Sequence, residues 1–321
     1  MTLALKLTNL SKSFPLGKKS FGKPRNSITA VNGVSLTINE GETLGIVGES
    51  GCGKSTLARM VVGLLEPTEG DIELYGKSLR DLQSARVGEE IQYVFQDPIS
   101  SLNPRKTIRE IMHAPLKYLK NWSHSEREDK IDQMFEAVKL RKEFLDRYPH
   151  EFSGGQAQRI GIARALVADA RILILDEPVS ALDVSVQAQI LNLLTELRQK
   201  YKLTYLFISH DLSVVEAISD RIAVLYFGSI VEIGPAHKIF STPRHPYTKL
   251  LAESAPTVGR ALKKSSLHEV DLPDPLNPPI GCVFQKRCPY ANKKCKQTIP
   301  ELIAKTDGVK VACHNPVTAS V

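Results

Sequence analysis

Gly48, Gly53, Lys54 and Ser55 stand at the spacing G-x-x-x-x-G-K-[ST] inside the stretch GESGCGKST. Those residue types in that order make a receptor for a phosphate chain. Glycines let the backbone wrap an anion so that successive N–H groups converge on it. A helix beginning at the second glycine adds the positive end of its dipole. Lys54 supplies a cation for the β- and γ-phosphates, and Ser55 a hydroxyl for Mg²⁺. Ser50, Gly51, Cys52 and Thr56 complete the loop and its entry into the helix, with the Cys52 side chain read as a small space-filler. A second group follows in ILILDEP: Asp176 ends an apolar run and suits Mg²⁺, and Glu177 suits the polarisation of an attacking water. Cys282, Cys288, Cys295 and Cys313 form a third group, at the spacing C-x5-C-x6-C-x17-C. This is neither the paired C-x2-C of common zinc modules nor the C-x2-C-x2-C ferredoxin run. Zinc, an iron–sulfur cluster and unligated thiols all stay open on spacing. Four thiols in a Pro-rich stretch with little apolar content still point to a fold organised by metal.

The elements that must carry these groups are legible as short apolar runs alternating with longer amphipathic stretches. Residues 43–48 (TLGIVG), 171–176 (RILILD) and 204–209 (TYLFIS) read as buried strands, and the stretch from Gly53 into LARMVVGLL reads as a helix. SVQAQILNLLTELRQKY reads as a helix between two of the strands. Strand, helix, strand in this order predicts an α/β fold with a mainly parallel sheet covered on both faces. Residues 97–158 break the alternation with Pro, charge and helical pieces, and are expected to be a helical insert. After about residue 255 the chain turns Pro-rich, so a large domain over 1–255 and a small irregular extension over 256–321 are expected.

The chain has 321 residues, of which 42% are hydrophobic and 24% charged, ample for a large core. A formal net charge of +7 suits an anionic ligand, lipid headgroups or nucleic acid without choosing among them. The N-terminal MTLALKLTNLSKSF alternates polar and apolar residues and lacks the apolar core of a secretory signal. No run of eighteen apolar residues occurs, so no bilayer span is expected. A reducing compartment then makes disulfides the least suitable use of the tail cysteines.

Four further stretches narrow the reading. Gln96 lies in VFQDP; Ser153, Gly154, Gly155 and Gln156 lie in FSGGQAQR; Asp183 ends SALD; His210 lies in FISHD. A second glycine-led amide cluster, about a hundred residues from the first, makes sense if it caps a nucleotide held by another subunit. Together with the phosphate loop and ILILDEP, these stretches resemble the ATP-binding cassette (ABC) ATPases over about residues 3–240: Walker A, Q-loop, signature, Walker B, D-loop and H-loop, in order. QDPISSLNPRKTI, HPYTKLLAESAP and the cysteine tail resemble, more narrowly, the dipeptide/oligopeptide and nickel importer ATPases.

The resemblance implies a P-loop NTPase with a RecA-like core, an antiparallel β subdomain, a helical subdomain at about 97–158 and a Cys-containing C-terminal extension. It implies ATP and Mg²⁺ as ligands, with Ser55, Gln96 and Asp176 toward Mg²⁺ and Glu177, His210 and Gln96 as the catalytic set. Ser153, Gly154, Gly155, Gln156 and Asp183 are implied at a nucleotide-bridged interface. Phe14 is implied as the ring stacked on adenine, with Phe21 a rival across the insertion PLGKKSFGKPRN. The four tail cysteines are implied to hold a [4Fe–4S] cluster, zinc being the alternative. The implied partners are a second, paralogous ATPase subunit, two transmembrane permease subunits and an outer solute-binding protein, with no nucleic acid. The implied place is the cytoplasmic face of the inner membrane, where ATP drives peptide import. Nickel or another small solute as cargo, and a soluble ABC machine acting on DNA or ribosomes, are the other readings.

Overall fold

The structure is a computed structural model that describes residues 2–16, 27–254, 273–305 and 307–317. In chain order the elements are β1 (Leu3–Pro15), β2 (Ser27–Asn39), β3 (Thr43–Val47), α1 (Lys54–Val61), β4 (Glu69–Leu74), β5 (Lys77–Ser78), α2 (Ser84–Glu90) and β6 (Ile91–Val94). There follow α3 (Ile108–Leu119), α4 (His124–Ala137), α5 (Gly154–Leu166), β7 (Ile172–Asp176), α6 (Val184–Tyr201), β8 (Thr204–Ile208), α7 (Leu212–Ile218), β9 (Arg221–Tyr226) and β10 (Ser229–Pro235). The chain closes with α8 (Ala236–Ser241), α9 (Pro246–Ser254), α10 (Lys293–Gln297), β11 (Ile303–Ala304) and β12 (Lys310–Val311).

The central sheet runs β11-β12-β10-β9-β3-β8-β7-β6. From β9 to β6 the pairings are parallel, as the buried apolar runs predict. Successive residues point to opposite faces of a strand, and both faces here are apolar. Ile172 and Ile174 of β7 enter one core with Leu206 and Ile208 of β8. Leu173 and Leu175 enter the other, with Tyr205 and Phe207.

The first core is closed by a separate antiparallel sheet, β2-β1-β4-β5, whose Leu5, Leu7, Val34 and Leu36 pack onto α1 and the central strands. The second core is closed by helices, including α3, α4 and α5. Capping boxes start each of these three, on Thr107, Ser123 and Ser153. Glu128 on α4 ties α3 down by accepting from Arg109 Nη1 at 2.6 Å and meeting His113 Nε2 at 2.6 Å.

The extension is knitted into the main sheet. Glu232 and Ile233 of β10 pair with Val311 and Lys310 of β12, which pairs in turn with β11. Phe284 is 1% exposed and joins the helical-side core. The expected irregular tail therefore has a helix and two strands. A five-residue helix and two-residue strands are too short to carry a periodicity that can be read from sequence.

Candidate active site

Four neighbouring parallel strands, β3, β8, β7 and β6, end on the same edge of the sheet. The motif residues sit on the turns just beyond them, where α/β sheets bind ligands. The phosphate loop joins β3 to α1. Gly53, at φ 104°, has no room for a side chain: a Cβ there would stand 2.1 Å from the Ala30 carbonyl oxygen. A Cβ on Gly48 would stand 2.2 Å from the Leu225 carbonyl oxygen. Both glycines are thus demanded by close backbone approach as well as by the anion-facing turn. Ser50 and Gly51 are exposed at the rim, Ser55 and Thr56 half-buried at the helix start.

Lys54 is 6% exposed, and its Nζ donates to the carbonyls of Gly48 at 2.7 Å and Glu49 at 2.9 Å. The ammonium is thereby held inside the loop. Cys52 is buried beneath it, and burial pushes its thiol upward. A buried small side chain next to Lys54 accords with the space-filling role.

Ser55 Oγ donates to Asp176 Oδ1 at 3.2 Å, and Tyr93 Oη donates to Asp176 Oδ2 at 2.5 Å. The hydroxyl and the carboxylate so paired are hard oxygen donors, the set Mg²⁺ takes. Tyr93 was not visible as a site residue in the sequence. Burial, and then the Asp176 charge, hold its phenol far above the ordinary range, so it stays a donor that fixes the carboxylate. Its only prior signal is its place next to the last residue of β6.

Glu177 takes a left-handed backbone, φ 49°, with its N–H donating to the Ile208 carbonyl at 2.9 Å. A bulky non-glycine residue in this region is uncommon and marks a site where geometry is over-determined by its surroundings. Its Oε2 accepts from Gln96 Nε2 at 3.2 Å and meets His210 Nδ1 at 3.1 Å. Three residues far apart in the chain, on the ends of β6, β7 and β8, thus converge on one carboxylate oxygen.

The other motif residues are arranged outward. Ser153 caps α5, with its Oγ accepting from Gln156 N at 3.4 Å and its N–H donating to Gln156 Oε1 at 3.1 Å. Ser153 and Gly154 are exposed. A Cβ on Gly155 would stand 2.6 Å from Val186 Cγ1 of α6, so that glycine lets the two helix starts pack together. Asp183 is exposed at the N-cap of α6 yet makes no capping hydrogen bond with its side chain. Among the described residues no hydrogen bond joins 153–156 to 48–56, so these two amide clusters do not meet within the chain through such bonds. Phe14 is 38% exposed at the end of β1 and lies opposite Ile28 on β2, two residues from the Ala30 carbonyl that crowds Gly53. An exposed ring is therefore available beside the phosphate loop. Phe21 lies outside the described residues.

The four tail cysteines are free thiols, with Cys282 and Cys295 buried and Cys288 and Cys313 half-buried. They are close enough to act on one another. Burial, and then the neighbouring Cys288, Cys282 and Cys295, push Cys313 up to about 11. Cys282 N donates to the Cys295 carbonyl at 2.8 Å, closing the turn that gathers them.

A family model for the ABC transporter matches residues 31–180, and a second, for the oligopeptide/dipeptide transporter C-terminal region, matches residues 231–295. The oligopeptide transport ATP-binding protein AppF of Bacillus subtilis is 48% identical over 317 residues, covering 97% of this chain and 96% of that protein. This chain is an ATP-binding protein of the oligopeptide/dipeptide ABC transporter family. The oligopeptide transport ATP-binding protein OppF of Salmonella typhimurium is likewise 48% identical, over 93% of this ABC protein and 92% of its own length. The dipeptide transport ATP-binding protein DppF of Haemophilus influenzae is 47% identical over 98% and 97%. Among solved structures, the dimeric post-hydrolysis state of the ATP-binding cassette MJ0796 bound to ADP and Pi superposes with a TM-score of 0.64. It is 31% identical and covers 72% of this chain and 98% of that one. The fold is that of an ABC ATPase, and the chain is an ATPase.

Proposed function

We propose that the chain is the ATP-hydrolysing subunit of a peptide importer. The observation that carries the reading is the meeting of Gln96 and His210 on the Glu177 carboxylate, beside the Ser55–Asp176 pair and the Lys54 loop. The near-full-length likeness to oligopeptide and dipeptide transport ATP-binding proteins supports peptide cargo over nickel and over action on nucleic acid.

The loop amides and Lys54 hold the triphosphate, with Lys54 exchanging its two carbonyl partners for phosphate oxygens. Phe14 stacks on the adenine. Ser55, Asp176 and Gln96 would hold Mg²⁺, which would screen the phosphate charge. Glu177 accepts a proton from the attacking water, and the positive-φ turn aims its carboxylate outward. His210 orients Glu177 and contacts the γ-phosphate. The same phosphate is capped from a second subunit by the amides around Ser153, Gly154, Gly155 and Gln156, with Asp183 at that interface. Closure of the pair is favoured by ATP because the closed state binds it better. The α3–α4 region passes the movement to a permease. No helix among the described residues is long and apolar enough to cross a membrane, which supports separate permease subunits and a peripheral site on the inner membrane. A second ATPase subunit and an outer solute-binding protein complete the complex.

The gathered thiols suit a soft metal centre. We assign Cys282, Cys288, Cys295 and Cys313 to a [4Fe–4S] cluster, with zinc the alternative. Such a cluster would organise the extension; hydrolysis has no use for it.

The test is co-purification from detergent-solubilised membranes under anaerobic conditions. Two permease subunits are expected with the chain, in brown fractions holding iron in excess of zinc. Recovery in nuclease-sensitive complexes without permeases contradicts the importer. Colourless protein with one equivalent of zinc contradicts the cluster.

A further inference from the structure

The second residue of the phosphate loop, Glu49, carries a negative charge where a triphosphate must dock. The structure places a cation on it from the other end of the chain. Arg287 Nη1 donates to Glu49 Oε2 at 2.9 Å and Arg287 Nη2 donates to Glu49 Oε1 at 3.0 Å, a two-pronged ion pair across 238 residues. Bidentate pairing of this kind fixes orientation as well as charge. The Arg287 side chain is 5% exposed and the Glu49 side chain 26%. The guanidinium is walled by the rings of Tyr226 and Phe284, each 5.8 Å from it. The Glu49 N–H donates to Tyr247 Oη at 2.9 Å, and the Tyr247 ring lies 4.6 Å from Tyr226 and 5.5 Å from Phe284. Glu49 also lends its carbonyl to Lys54. On the far side, Arg287 sits in the turn between Cys282 and Cys288, where Gln285 N donates to Cys282 O and Arg287 N to Phe284 O.

We propose that Arg287 is a positioning residue for nucleotide binding, through which the four-cysteine module and the phosphate loop are thermodynamically coupled. With Arg287 in place, Glu49 is neutralised and the loop presents Lys54 and its amides to phosphate. If the cysteine turn shifts, on loss of what the thiols hold, Arg287 leaves and an unpaired carboxylate faces the phosphates. Linkage then works both ways: ATP, by favouring the neutralised loop, holds the cysteine turn in place. This rests on the ATP-site reading above, and binding of ATP by the wild-type chain is the control that keeps the two apart.

The experiment uses the full chain, purified anaerobically. ATP affinity is measured by equilibrium titration with a non-hydrolysable analogue, and tail-cysteine reactivity by iodoacetamide labelling and mass spectrometry. Arg287→Ala is expected to bind the analogue about 10- to 100-fold more weakly, within the usual range of coupling between two sites. Adding Glu49→Gln is expected to restore most of that affinity, because the unpaired charge is gone. The analogue is expected to slow labelling of Cys282 and Cys288 several-fold in wild type and not in Arg287→Ala. Should Arg287→Ala fail to fold, Glu49→Gln alone carries the test, losing the protection of the cysteines while still binding. Unchanged affinity in folded Arg287→Ala, no rescue by Glu49→Gln, or labelling indifferent to nucleotide in a wild type that binds it overturns the coupling. Failure of wild type to bind the analogue overturns the ATP site itself.

Discussion

Glu177→Gln hydrolyses ATP at least about 100-fold more slowly than wild type while binding it with unchanged affinity. The amide keeps the shape and hydrogen-bonding reach of the carboxylate but cannot take a proton. Positioned general bases contribute about 10²–10⁴ in rate. The effect belongs to kcat because Glu177 meets Gln96 and His210, not the loop that grips phosphate. Single-turnover hydrolysis beside equilibrium binding separates the two. Turnover within a few-fold of wild type would remove Glu177 from its role and leave its φ of 49° without a catalytic reason.

Lys54→Ala acts on the other half of the cycle. The ammonium is 6% exposed and already desolvated against the Gly48 and Glu49 carbonyls, so trading them for phosphate oxygens replaces neutral acceptors by charged ones. A hydrogen bond to a charged group contributes about 1.5–3 kcal/mol, and Lys54 reaches more than one oxygen. ATP affinity is expected to fall by about 100-fold or more, with hydrolysis lost at ordinary ATP concentrations. Removing the amine also leaves the buried Gly48 carbonyl without its donor, so a modest fall in melting temperature is expected even in the absence of nucleotide. A titration showing wild-type affinity contradicts the phosphate role of Lys54.

The phosphate loop, the acidic strand end and the buried strands were legible because their signals are local. Each is a short string whose spacing is itself the geometry: a strand, a glycine turn, a helix start. The parallel order of the sheet followed from the same strings, since strand–helix–strand units admit few arrangements. Tyr93 was not legible, because a tyrosine next to the end of a strand is an ordinary core residue until the neighbouring strand brings Asp176 to its hydroxyl. The role of HPYT was hidden for the same reason. His245 N and Arg244 N donate to the buried Glu232, and that anchor is what aims Tyr247 at Glu49. Burial keeps His245 neutral, at about 3, so its Nδ1 is free to accept from Tyr247 N. Arg287 lay furthest from view: its partner is 238 residues away, and no local pattern encodes a contact of that separation.

Ser153, Gly154 and Asp183 are exposed, and among the described residues no hydrogen bond ties them to the chain's own phosphate loop. That exposure suits the second subunit proposed above. Sedimentation velocity of Glu177→Gln, alone and mixed with the second ATP-binding subunit of the same transporter, with and without ATP, tests this most directly. A dimer that forms with ATP and dissociates when ATP is removed is expected, and Ser153→Arg should abolish it. A chain that stays monomeric with saturating ATP, whichever subunit is supplied, contradicts a nucleotide shared between two polypeptides.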